Sequence, residues 1–177
     1  MLKSVIIAGA GGQGNLFMGE ALCLAALIEN KNVTFFPSYG PQMRGGKSTC
    51  TVVISDEEIG SPIVNAPDAL IVMNEPSLDF IKNVRSDGLV IINSFLAKYC
   101  GERKDVHIIN VDTVPILEKF KTVKALNMIL LGVYLKKSGI VRLDSAIAAL
   151  EEKLKEEGKE RFLEINRQIL IAGYELF

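Results

Sequence analysis

The apolar run Val5-Ile6-Ile7-Ala8 leads directly into Gly9-Ala10-Gly11-Gly12-Gln13-Gly14, and a helix-like run from Asn15 to Glu29 follows. Strand, glycine turn and helix in that order restrict the start of the chain to a βα unit. The glycines permit a tight turn and close backbone approach, and a helix start turns unpaired N–H groups toward an anion. A dinucleotide site also needs an Asp or Glu about 20 residues further on, at the end of the second strand. Here that strand is Asn32-Val33-Thr34-Phe35-Phe36, it runs into Pro37-Ser38-Tyr39, and no acid stands there. The loop therefore has the form of a dinucleotide loop without its ribose partner, and binding of NAD(H) or NADP(H) is not expected.

Further strands are expected over Ser48–Ile54, Ala69–Met73, Gly88–Ile92 and Val106–Ile109, three of them continuous apolar runs of the buried parallel kind. Helices are expected over Lys124–Lys137, Leu143–Glu156 and Lys159–Leu176, with Gly158 separating the last two. Asp112 is a candidate cap for a helix with Pro115 in its first turn. In the first helix, Phe17, Ala21, Leu24 and Ile28 form the stripe expected to pack on a sheet. The charges of Glu151-Glu152-Lys153 and Lys155-Glu156-Glu157 read as solvated faces. The fold class is α/β: a single Rossmann-like doubly wound domain over residues 1–177, with a mostly parallel sheet and a helical C-terminal region. Ligands of such folds sit beyond the carboxyl ends of the strands. The glycine loop, residues 37–44, Asn74-Glu75 and Asn93-Ser94 fall there.

Composition narrows the function. A net charge of −1 does not fit a nucleic-acid footprint. The longest uninterrupted apolar run, Ala21–Ile28, has eight residues, where a membrane span needs about 18. No membrane span or signal peptide is expected, and the cytoplasm is the expected location. Cys23, Cys50 and Cys100 are isolated, and with one histidine they make no plausible metal set. Cys23 and Cys50 read as small buried hydrophobes. A hydrophobic fraction of 49% suggests much buried surface, or burial against a partner.

The second unusual stretch is Pro37-Ser38-Tyr39-Gly40-Pro41-Gln42-Met43-Arg44-Gly45-Gly46. Gly40-Pro41 fixes a turn, Gly45-Gly46 frees the backbone, and Arg44 carries a fork suited to carboxylate or phosphate. A salt bridge within its own domain is the plain alternative for Arg44. The two loops together, with Ala125-Leu126-Asn127-Met128-Ile129-Leu130-Leu131-Gly132, resemble the gamma subunit of 2-oxoacid:ferredoxin oxidoreductases over nearly the whole chain.

That resemblance implies a reaction of the whole complex. A 2-oxoacid loses CO2 on thiamine diphosphate with Mg, electrons leave through iron–sulfur clusters to ferredoxin, and coenzyme A takes the acyl group. This chain lacks both the thiamine signature and the cysteine sets, so the resemblance implies an accessory or assembly subunit with no such cofactor and no catalytic residue of its own. The implied partners are thiamine-binding alpha and beta subunits and a ferredoxin-like delta subunit; a homodimer of the isolated chain stays open. 2-Oxoglutarate or a generic 2-oxoacid is suggested ahead of pyruvate. The alternative is a free-standing nucleotide-binding protein or NAD(P)-dependent dehydrogenase, supported only by the glycine loop.

The candidate ligand or partner residues are Gly9, Gly11, Gly12, Gln13, Gly14, Tyr39, Gly40, Pro41, Arg44, Gly45, Gly46 and Asn127. Gln13 either caps the helix or reaches a ligand or partner. Tyr39 either stacks on a partner or is a half-buried loop aromatic. Asn127, among apolar residues, is expected to bond a neighbouring loop. His107 reads as structural, with no visible acid–base partner, and Glu75 and Asp79 as a solvated face.

Overall fold

A computed structural model describes residues 1–39, 46–122 and 124–177, Tyr39 through its backbone. Six strands form one sheet in the order β2-β3-β1-β4-β5-β6. They are β1 (Leu2–Ala10), β2 (Asn32–Tyr39), β3 (Lys47–Ser55), β4 (Ala69–Val72), β5 (Leu89–Asn93) and β6 (His107–Val111). β1, β4, β5 and β6 run parallel, while β3 is antiparallel to both β1 and β2. The helices are α1 (Asn15–Ile28), α2 (Val114–Lys119), α3 (Leu126–Ser138), α4 (Leu143–Glu156) and α5 (Leu163–Tyr174). The α/β class, the mostly parallel sheet and the helical C-terminal region are as the sequence indicates.

Alternation along β1 divides the core. Val5 and Ile7 face one side, where Met18, Leu22 and Ala25 of α1 and Met128 and Ile129 of α3 are buried with them. Ile6 and Ala8 face the other, with Ile81 and Val84 from the 3-10 segment Glu75–Asn83. One face therefore carries α-helices, α4 packing on α1 and α5 on α3. The opposite face is covered by a 3-10 turn and loop. No helix among the described residues is long and apolar enough to cross a membrane.

Several local expectations are corrected. β2 continues through Pro37 to Tyr39, because it is the sheet edge, where a missing N–H costs no ladder bond. Of the expected stripe on α1, Ala21 is buried and Phe17 and Leu24 pack partly buried on the core, whereas Ile28 is exposed; Met18, Gly19, Leu22, Cys23, Ala25 and Ala26 are buried as well. Gly19 faces the sheet so closely that a Cβ there would lie 2.6 Å from Cys50 Sγ. The N-cap position of α2 belongs to Thr113, while Asp112 Oδ1 accepts from Val114 N at 3.1 Å. Lys153 is not solvated: it is 8% exposed and pairs with Glu20 of α1 and with Glu157, at 3.1 Å. Lys155–Glu151 is the exposed i,i+4 pair the sequence suggests.

Candidate functional site

The glycine loop and the described ends of the second unusual stretch meet at the carboxyl edge of the sheet. The antiparallel register sets Ala10 opposite Lys47 and Tyr39 opposite Ser48, so Tyr39 and Lys47 stand at the edge where the glycine loop lies. Gly11 N donates to Gly46 O at 3.1 Å, which joins the loops directly. Gly12 and Gly14 have φ of 97° and 78°, the positive region where glycine is needed. A Cβ on Gly14 would also lie 2.6 Å from Asn127 Nδ2. Gly40, Pro41, Arg44 and Gly45 lie outside the described residues.

Among the described residues, Gln13 makes no capping bond to α1. Its Oε1 accepts from Ala10 N at 2.7 Å, and its Nε2 makes a long bond of 3.4 Å to Met73 O. The side chain folds back and spans the ends of β1 and β4. Gly9 is narrow for this reason, since a Cβ there would meet Gln13 Oε1 at 2.7 Å. Asn127 does bond the neighbouring loop: Nδ2 donates to Gly14 O at 3.1 Å. Buried Asn15, the first residue of α1, donates to Ser48 O at 2.5 Å and to Ser48 Oγ at 3.0 Å. Below it, the Cys50 thiol sits 3.4 Å from Asn15 O. Burial pushes the pKa of both Cys50 and Cys23 up to about 12, which fits inert packing.

The network continues across the other strand ends. Buried Asn93 donates through Nδ2 to Met73 O at 3.4 Å, while its Oδ1 accepts from the buried Thr113 hydroxyl at 3.1 Å and from Phe95 N at 3.3 Å. Asn74 Oδ1 accepts from Ser77 Oγ at 2.5 Å, and Glu75 accepts from Lys98 N at 2.8 Å. Asp79 stands 3.7 Å from Lys47, an exposed pair. The polar residues placed at the carboxyl edge by topology thus bond each other and the loops. A phosphate cradle needs free amides, whereas the amides of Ala10, Gly11 and Gln13 are all used, the last on Ala10 O at 3.1 Å. The missing ribose acid has a topological cause as well. β3 lies between β1 and β2, so the end of β2 is one strand removed from the glycine loop.

Two adjoining hollows were not legible in the sequence. One, of about 470 Å³, lies beside Gly14 and Asn127 between Phe17 and Phe162, with Lys121, Lys124 and Lys159 lining it. The other, of about 480 Å³, is bounded by Gly12, Gln13, Leu96, Lys124 and Leu126. Phe95 is 62% exposed on the same edge. The signal available in the sequence was the basic run Lys119, Lys121, Lys124, which periodicity alone does not direct to the glycine loop. His107 has the partner that the sequence did not show: Nε2 is 2.6 Å from Asp87 Oδ1, both exposed and at the opposite edge of the sheet. The arrangement has the chemistry of a rigid, self-bonded platform with an apolar and basic margin.

Comparison with known proteins agrees with this fold. The family model described as pyruvate ferredoxin/flavodoxin oxidoreductase matches residues 4–176. The ketoisovalerate oxidoreductase subunit VorA of Methanothermobacter thermautotrophicus is 41% identical over 97% of this chain, and the chain spans only 35% of that relative's length. The 2-oxoglutarate synthase subunit KorC of Methanothermobacter marburgensis is 32% identical, the match covering 99% of this chain and 97% of KorC. Among solved structures, the gamma subunit of a keto/oxoacid ferredoxin oxidoreductase from Geobacter sulfurreducens superposes with a TM-score of 0.86 at 25% identity, covering 99% of this chain and 95% of that one. The chain belongs to the pyruvate ferredoxin/flavodoxin oxidoreductase family.

Proposed function

We propose that this chain is the gamma-type subunit of a multisubunit 2-oxoacid:ferredoxin oxidoreductase in the cytoplasm. It assembles with thiamine-binding alpha and beta subunits and a ferredoxin-like delta subunit, and ferredoxin accepts the electrons of the complex. The observation that carries this reading is the family match from residue 4 to 176, together with a relative of nearly equal length, KorC. Thiamine diphosphate, Mg and the iron–sulfur clusters belong to the other subunits, since three isolated cysteines supply no cluster set. The greater identity to VorA than to KorC favours a branched-chain 2-oxoacid as substrate of the complex. The dehydrogenase reading is disfavoured, because the amides of Ala10, Gly11 and Gln13 are taken up within the protein and no ribose acid stands beside the loop.

Within the complex, the carboxyl edge docks on the thiamine-binding subunits, and Arg44 pairs there with a carboxylate or an anionic substrate group. The support is that both anchors of its loop, Tyr39 and Gly46, stand at that edge. Co-purification of the chain with its partner subunits tests the assignment, using Arg44→Ala as the variant. A desolvated interfacial pair lost on truncation weakens association by about 2–5 kcal/mol and leaves the melting of the free chain unchanged. Arg44→Ala that assembles and turns over like the parent removes Arg44 from the interface. Failure of the parent chain to join any thiamine-binding subunit contradicts the assignment itself.

A further inference from the structure

A cavity of about 350 Å³ opens at the edge of the sheet opposite the glycine loop, where β1, β4, β5 and β6 begin. Its walls are apolar: Ala69, Leu89, Ile109 and the ring of Tyr134, which is 2% exposed. Three cations stand around it, Lys3, Arg85 and Lys137. Asp68 is the internal counter-charge, and it is heavily shared. Its Oδ2 accepts from both N and Oγ of Ser4 at 2.8 Å, while Oδ1 faces Arg85 Nε at 3.0 Å and Lys3 at 3.6 Å. The second acid at the rim, Asp87, is engaged by His107 at 2.6 Å. Lys137 lies 5.0 Å from the Phe177 ring and, among the described residues, pairs with no carboxylate. A hollow with apolar walls, a surplus of positive charge and a volume at the lower end of the usual range of about 300–1,000 Å³ selects a small ligand with one charged end.

We propose that this cavity binds a small organic monocarboxylate with an apolar body, the carboxylate at Lys137 and Arg85 and the body against Leu89, Ile109 and Tyr134. The site is remote from the loops on which the family reading rests, and it does not depend on that reading. Charge and apolar surface are both required, so neither inorganic phosphate nor a neutral alcohol of the same shape replaces the ligand. A partner protein's acidic side chain is the competing occupant.

His107, the one histidine of the chain, borders the cavity and provides a single imidazole signal for NMR. The test is titration of the full chain with sodium 3-methylbutanoate at fixed pH, with 3-methylbutanol and inorganic phosphate as separate arms. The expected result is a saturable shift of the His107 ring signals with the carboxylate in the millimolar range. The alcohol and phosphate bind at least about tenfold more weakly, and Lys137→Glu, at an exposed position, weakens the carboxylate about tenfold or more with unchanged melting. Arg85→Gln weakens it in the same direction. No saturable shift, a shift equal in Lys137→Glu, or phosphate binding as tightly as the carboxylate overturns the proposal. Loss of partner-subunit assembly in Lys137→Glu without carboxylate binding by the parent assigns the cavity to a protein contact and overturns it equally.

Discussion

At the scale of single residues, the glycine loop is a structural joint. Gly14 combines a positive φ with an immediate neighbour, Asn127, whereas Gly12 has a positive φ and no atom within 4 Å of a built Cβ. The two positions therefore separate backbone strain from crowding. Gly12→Ala costs about 1–2 kcal/mol of stability through its conformation alone. Gly14→Ala costs the same strain plus about 1–3 kcal/mol for displacing buried Asn127 from Gly14 O. Urea unfolding of the two variants checks this, and equal losses contradict the joint. The buried thiols make a second prediction. Cys23 and Cys50 rise from 9.0 to about 12 through burial, so only the unfolded chain releases their protons between those values. Stability is unaffected below pH 9 and falls as pH rises toward 12, by about 1.4 kcal/mol per pH unit for each thiol. Native thiol labelling at neutral pH modifies exposed Cys100 alone; rapid labelling of all three cysteines contradicts the burial.

At the scale of elements, the helical layer is as notable for its closeness as for its grease. α3 is buried on nearly every side from Asn127 to Leu135. It crosses α5 at Gly132 and Gly173, where an added Cβ would lie 2.5 Å from Tyr174 N in the first case and 2.8 Å from Ile129 Cα in the second. Backbone cannot give way as a side chain can, so Gly132→Ala and Gly173→Ala are each expected to destabilise by about 1–3 kcal/mol. Calorimetric melting reads this, and an unchanged Tm for both contradicts the crossing. These glycines were not legible as packing sites, because a lone Gly within a helical run carries no periodic signal. The strands were legible, since continuous runs such as Ala69–Val72 and Leu89–Ile92 have few other uses. The stripe Phe17, Ala21, Leu24 holds and was incomplete, because α1 is sandwiched between sheet and α4, so a second apolar side with Met18, Leu22 and Ala25 is buried too; of the expected stripe, Ile28 alone stands exposed. Lys153 misled because its charge hid its place beside Ala149 and Leu150 on the buried side of α4. On the thinner face, Arg103 donates to the carbonyls of Ile81, Lys82 and Val84 and holds Asp105 at 2.6 Å, a tie between distant segments that no local pattern announces.

At the scale of the whole molecule, the parts of the candidate site were legible and their connections were not. The sequence placed both loops on one edge and had Asn127 bond a neighbouring loop. That Gln13 turns inward, and that Gly46 takes up the Gly11 amide, depends on β3 running between β1 and β2, a topology that strand patterns alone do not give. The same insertion explains why a loop of dinucleotide form lacks a ribose acid beside it. What results is a self-bonded edge with exposed Phe95 and flanking lysines, suited to docking on a larger assembly. The central claim is that the chain completes a 2-oxoacid:ferredoxin oxidoreductase while catalysing nothing alone. The direct measurement is 2-oxoacid- and CoA-dependent reduction of ferredoxin by the partner subunits, with and without this chain, and by this chain alone. The account predicts no turnover from the chain alone, little from the partners alone, and full activity on recombination. Full activity of the partner subunits without this chain would contradict it.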